Sequence, residues 1–276
     1  MKCLSLPSSL VYLGTLLAVL PLAADDEPTA KVSQSVAAAA KHAATLDMTL
    51  AEPKVGESLK LSERALLTFG DPARDNEAGT LWTWSSGGRP IAIAELYRHT
   101  GDERTWIHAM SLTSPKLTRM TAKSGARWTP KRSDFEPQLL PGDASVSDKP
   151  AQRLRQMKDH VRRFSAHQFW DPQNSRFELR MLPQPVWRYS DADSKVLDGA
   201  VFIFAHGTNP EIVLFMEAIG TDADTAKWHF AFARSGSAEF HVELDNREVW
   251  SRERALNVTG TPNDSYWLFS AKRDEE

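Results

Sequence analysis

Apolar residues recur at every second position along much of the chain. In residues 227–234, KWHFAFAR, the side chains of Trp228, Phe230 and Phe232 share one face. A period of two is that of a strand with one buried face. Residues 199–206 and 211–219 are short apolar runs rich in β-branched and aromatic residues, joined by a Gly-Thr-Asn-Pro turn. This is the pattern of a hairpin. Residues 239–250, EFHVELDNREVW, read as strand, Asp-Asn turn, strand. An earlier stretch has the same order, with runs at 79–85, 91–99 and 104–113 and weaker strands reaching Trp128. Each half is expected to be an antiparallel meander.

The period changes in two places. Residues 150–167 carry Leu154, Met157, Val161 and Phe164 at helical spacing, and Pro150 suits a first helical turn. Residues 30–46 are alanine-rich and predict a second helix, with a weak apolar face.

The two halves can be laid over each other. GTLWTWSSGGRP (79–90) aligns with GAVFIFAHGTNP (199–210), so that Gly79, Gly87 and Pro90 meet Gly199, Gly207 and Pro210 at an offset of 120. Beyond the turn the offset becomes 122, and Glu95, Asp102, Trp106, Ala109 and Trp128 meet Glu217, Asp224, Trp228, Ala231 and Trp250. One two-residue insertion accounts for the change. The matches fall on residues that punctuate or anchor structure, as an internal duplication would leave them. The expected fold is α+β: two related antiparallel meanders with a spacing of about 120, each with a helix packed on one sheet face. The expected divisions are a first unit at 25–129, a Pro-rich linker at 130–149, a second unit at 150–270 and a polar tail at 271–276.

Residues 1–24 read as a signal peptide. Lys2 precedes a mostly apolar stretch at 4–20, Leu22, Ala23 and Ala24 form a cleavage-type end, and Asp25 and Asp26 open a polar region. Export and cleavage are expected. Cys3 is the only cysteine and lies in that segment, so the mature chain is expected to hold no disulfide and no thiolate site. No other long apolar run follows, so no integral membrane segment is expected after cleavage. The formal net charge is −3, or −4 without Lys2. That balance argues against nucleic acid, which needs a basic footprint.

Five side chains stand out as candidates. His206 ends an apolar run at a turn; it is a possible general base, or simply the last residue of a strand. Glu95 and Glu217 occupy aligned positions, flanked at period two by Ile93 and Tyr97 and by Phe215 and Ile219. A carboxylate on an apolar face needs a partner. It is either structural, or one of two catalytic carboxylates of the kind that hydrolyse glycosides. Trp106 and Trp228 are either a stacking platform for a glycan or peptide, or core. His241 and Glu243 share a strand face, but no metal-binding motif surrounds them, and neither a metal nor a cofactor is expected.

The strings GTLWTWSSGGRPIAIAELYRH, RFELRMLPQPVWRYS, DGAVFIFAHGTNPEIVLFMEA and WHFAFAR resemble those of an uncharacterised family of exported planctomycete proteins. The resemblance covers most of the mature chain. It implies an exported bacterial protein and no particular chemistry. Two functions are expected from the whole: a non-catalytic binding protein for a protein, glycan or apolar partner, or a secreted hydrolase, on polysaccharide for instance, using Glu217 or His206.

Overall fold

A computed structural model describes residues 26–51, 56–71, 76–99, 101–102, 104–142 and 144–272. The segment 1–24 read as a signal peptide lies outside them, as do the last four residues of the tail. The described chain is mostly antiparallel β-sheet with two helices, an α+β fold.

The first half opens with α1 (Asp26–Ala43) and β1 (Asp47–Leu50). It continues through β2 (Lys60–Leu61), β3 (Leu67–Asp71), β4 (Asn76–Ser86), β5 (Arg89–Tyr97) and β6 (Thr105–Leu112), and ends with β7 (Thr118–Thr121) and β8 (Arg127–Trp128). A short strand, β9 (Gln138–Leu139), precedes the second half. The second half contains α2 (Pro150–Val161), β10 (Phe164–Phe169), β11 (Phe177–Met181), β12 (Trp187–Asp191), β13 (Val196–His206), β14 (Asn209–Ile219), β15 (Lys227–Arg234), β16 (Glu239–Leu244), β17 (Arg247–Arg252) and β18 (Tyr266–Lys272).

Helix α2 stops at Val161, short of the expected His167. From Phe164 onward the chain is extended, and its backbone finds ladder partners on both sides. Phe164 and Ala166 stand opposite Leu244 and Val242 of β16, and Ala166 also faces Leu179 of β11. Tertiary pairing overrides a helical spacing that Phe164 extends only by coincidence.

The strand registers recur in both halves. Leu67, Thr68 and Phe69 of β3 face Leu81, Thr80 and Gly79; Trp187, Arg188 and Tyr189 of β12 face Val201, Ala200 and Gly199. Lys60 and Leu61 face Ser85 and Trp84, while Arg180 and Met181 face Ala205 and Phe204. The central hairpins share a bulge at the same place. Ser85 pairs with Pro90 and Trp84 with Ala92, as Ala205 pairs with Pro210 and Phe204 with Ile212. Proline has no N–H to give the ladder, so an irregularity beside it is where a strand tolerates it.

The two larger sheets meet face to face. Leu81 and Ile93 from the first half share one core cluster with Val201, Ile203, Val213 and Phe215 from the second. Strand residues one position away point outward into two other cores. Trp82, Trp84 and Ala94 pack with Ala39 and Ala43 of α1; Phe202, Phe204 and Leu214 pack with Met157 and Val161 of α2.

Two strands cross between the halves. Leu139 of β9, in the stretch read as a linker, pairs with His229 of the second sheet. β18 returns to the first sheet, where Tyr266–Lys272 runs antiparallel to β6 and supplies Trp267, Phe269 and Ala271 to the α1 core. It thereby takes in Ala271 and Lys272, the start of the expected tail.

Candidate functional site

The site is built where each central hairpin crosses the opposite sheet. The β4–β5 turn is Gly87-Gly88, both at positive φ (+59° and +92°), which glycine adopts without strain. Its tip rests on β12: Trp187 Nε1 donates to the Gly88 carbonyl at 3.0 Å, and a side chain on Gly88 would meet the Ser190 carbonyl at 3.2 Å. The β13–β14 tip rests on β3 in the same manner. Thr208 Oγ1 donates to the Gly70 carbonyl at 2.7 Å and accepts from the Gly70 N–H at 3.1 Å. Gly88 and Thr208, and likewise Gly70 and Ser190, are aligned positions of the two halves.

Arg89, just past the first tip, reaches Glu217 in the opposite sheet. Its Nε donates to Oε1 at 2.8 Å and its Nη2 to Oε2 at 3.0 Å. The Tyr189 hydroxyl donates to the same Oε1. Glu217 is 1% exposed, because the alternation that buries Val213 and Phe215 turns it to the same face. A buried carboxylate needs charge-assisted partners, and a planar guanidinium fork meets it on both oxygens. Burial raises the Tyr189 pKa far above its ordinary value, and the neighbouring Glu217 charge adds to this. Burial works against the charge on Arg89, but Glu217 and Tyr189 outweigh it and raise the pKa. Gly199 makes room for the tyrosine ring, since a side chain there would lie 2.6 Å from Tyr189 Cζ.

The aligned position in the first half is built differently. Glu95 is also buried, and its Oε1 accepts a hydroxyl bond, here from Ser235. Phe69 stands where the second half has Tyr189, over Gly79 as Tyr189 lies over Gly199. Asn209 stands where the first half has Arg89, and its Nδ2 donates to Glu211 Oε1 at 3.1 Å. Beside Glu95 and Asn209 a cleft of about 320 Å³ opens, walled by Tyr97, Trp170 and Tyr266, with Arg254 also on its lining. Burial raises the Tyr266 pKa, and the Glu95 charge raises it further. Arg234 lies 5.2 Å from the Tyr266 ring, and burial lowers its pKa to about 10. A larger cleft of about 720 Å³ beside Trp187 and Arg64 is chiefly apolar and is lined by no buried carboxylate.

The structure separates most of the residues singled out from the sequence. Seven positions of β13, about 23 Å of strand, separate His206 from Gly199, the residue that Glu217 faces. Glu95 shares a cleft with Asn209, at the far end of β14 from Glu217, so the two glutamates are not a facing carboxylate pair. His206 packs on Phe177 at 5.4 Å and on Trp170 at 6.4 Å, behind one wall of the cleft. Trp106 is buried beneath α1, stacked on His42 at 4.9 Å, and Trp228 is buried beneath α2 against His160 at 5.2 Å. His241 bonds Glu248 at 2.6 Å and Glu239 at 3.1 Å, and no group of three ligating side chains among the described residues could hold a metal ion.

Arg89, Tyr189, Asn209, Ser235 and Tyr266 are the residues that sequence reasoning missed. One signal for them exists in the aligned turns: Gly87-Gly88-Arg89-Pro90 and Gly207-Thr208-Asn209-Pro210 differ by charge at one place. Ser235 and Tyr266 carry no comparable mark, since their meeting with Glu95 depends on how the sheets stack. No family model, curated protein or solved structure matches the chain.

Proposed function

We propose that the chain is an exported, non-catalytic binding protein whose ligand site is the cleft beside Glu95. Its two halves descend from one duplicated helix-plus-meander unit. The duplication is supported by the matching registers of β3–β4 and β12–β13 and by the reciprocal seating of the two hairpin tips. Export rests on the pattern of residues 1–24.

A single observation carries the binding reading. Of two related buried glutamates, one is closed by a protein guanidinium and the other faces a cleft. Duplicated positions that diverge in this way are free to take different roles, one structural and one for a ligand. The volume and the mixture of aromatic walls with a few convergent polar groups suit a small molecule. A hydrolase acting through Glu217 would need that carboxylate within reach of substrate, and Arg89 and Tyr189 enclose it.

A small-molecule fragment screen read by protein NMR tests this. Fragments that perturb Tyr97, Trp170 and Tyr266 are expected, and Ser237→Trp, an exposed position on the cleft lining, is expected to abolish those shifts. Fragments that bind only elsewhere, or shifts that survive Ser237→Trp, would contradict the reading.

A further inference from the structure

We infer that the cleft takes a neutral sugar ring, held through its hydroxyls by Tyr266 and Asn209; this rests on the cleft being the ligand site. Tyr266 lines the cleft and is 6% exposed. Its hydroxyl bonds to no group among the described residues. A buried tyrosine usually gives its O–H a partner. Burial also keeps this hydroxyl protonated, so it is a ready donor. Asn209, 7% exposed on the same lining, is its counterpart. Its Nδ2 donates to Glu211 Oε1 at 3.1 Å. That bond fixes the carboxamide and leaves Oδ1 as an acceptor with no donor among the described residues.

Each hydroxyl of a sugar both donates and accepts, so one ring can serve the donor and the acceptor together. Its rim is polar and its C–H faces are apolar. Tyr97, Trp170 and Tyr266 offer those faces aromatic surface. Arg254 adds a further donor on the lining. Its Nη2 is tied to the Phe169 and Asp171 carbonyls, while Nε and Nη1 bond to nothing among the described residues. Among the lining residues Arg254 is set against Glu95, so a net charge on the ligand meets repulsion from one or the other. Glu95 and Glu211 serve here as charges and as anchors for Ser235 and Asn209, not as acceptors for the ligand. About 320 Å³ is near the lower end for small-molecule sites, which suits a single ring rather than a chain of them.

The methyl glycosides of glucose, galactose, mannose and N-acetylglucosamine are the probes, titrated at millimolar concentration and read by protein NMR. At least one is expected to shift Trp170 and Tyr266, and to bind more tightly than the amino sugar or the uronic acid of the same series. Ser237→Trp is expected to abolish that binding. Tyr266→Phe keeps the ring and removes the hydroxyl, and is expected to weaken binding about tenfold. The melting temperature of the free Tyr266→Phe protein is expected to stay the same or rise, because the hydroxyl removed is buried without a protein partner. If none of these glycosides binds while fragments still enter the cleft, the sugar is overturned and the cleft reading stands. If neither sugars nor fragments bind, both fall. Sugar binding unchanged by Tyr266→Phe, tighter binding of a charged analogue, or a lowered melting temperature in Tyr266→Phe would each overturn the sugar as well.

Discussion

Arg89 and Glu217 stand 128 positions apart in sequence and meet in a two-bond fork between the sheets. The contact ties the tip of one hairpin to the opposite end of the other. At the positions aligned with these two, Asn209 and Glu95 border a cleft.

Breaking this pair is predicted to cost more than replacing it. Arg89→Leu leaves Glu217 buried without its cation and is expected to lower stability by about 3–5 kcal/mol. The double variant Arg89→Leu, Glu217→Leu is expected to lose less than the single variant, because no buried charge is stranded. Urea unfolding of both proteins checks this. A double variant less stable than Arg89→Leu would mean that the pair contributes chiefly by attraction.

Removal of the hydroxyl that supports the fork should have a smaller effect. Tyr189→Phe makes the second half resemble the first, where Phe69 has the same position over glycine. The expected loss is about 1–3 kcal/mol, since the bond is to a charged, buried acceptor. A loss near zero in urea unfolding would show that Glu217 is satisfied by Arg89 alone.

Acid should destabilise the first half through a buried histidine pair. His42 of α1 and His108 of β6 meet Nε2 to Nε2 at 2.6 Å. Burial lowers the His42 pKa to about 4; burial, then the His42 charge, lowers that of His108 to about 3. In the unfolded chain both titrate near 6.5. Between those values the unfolded state binds more protons than the folded one, so stability is full above pH 6.5 and falls as the pH drops toward 4. The slope is at most about 1.4 kcal/mol per pH unit for each histidine. Urea unfolding from pH 7 to pH 4 should give a shallower slope for His108→Leu than for the natural chain. An unchanged slope would remove the pair as the cause.

The meanders were legible in the sequence because their signals are local. The period-two aromatic residues of KWHFAFAR and the Asp245-Asn246 turn, both residues at positive φ, need no distant partner to be recognised. Glu95 and Glu217 were legible as carboxylates on an apolar face. Their different fates were not, since these depend on Arg89 arriving from the other sheet at one site and Asn209 at the other. The end of α2 was misread because Phe164 continues a helical spacing by chance, and its true environment is set by Leu244, eighty positions away. The crossing of β18 back to β6 is invisible for the same reason.

That crossing carries its own prediction. A fragment comprising residues 25–129 lacks Trp267, Phe269 and Ala271 and leaves β6 as a bare edge beside an open core. It is expected to be insoluble or unfolded when expressed alone. The same fragment is expected to gain ordered β-structure on addition of a peptide spanning residues 264–272, read by circular dichroism. A fragment that folds without the peptide would show that the first half is self-sufficient.

The cleft beside Glu95 is the proposed ligand site, and a crystal structure of the protein soaked with a fragment that perturbs Tyr97, Trp170 and Tyr266 in solution tests it most directly. The fragment is expected within the cleft, against those three aromatic walls. A fragment bound only outside the cleft would contradict the proposal.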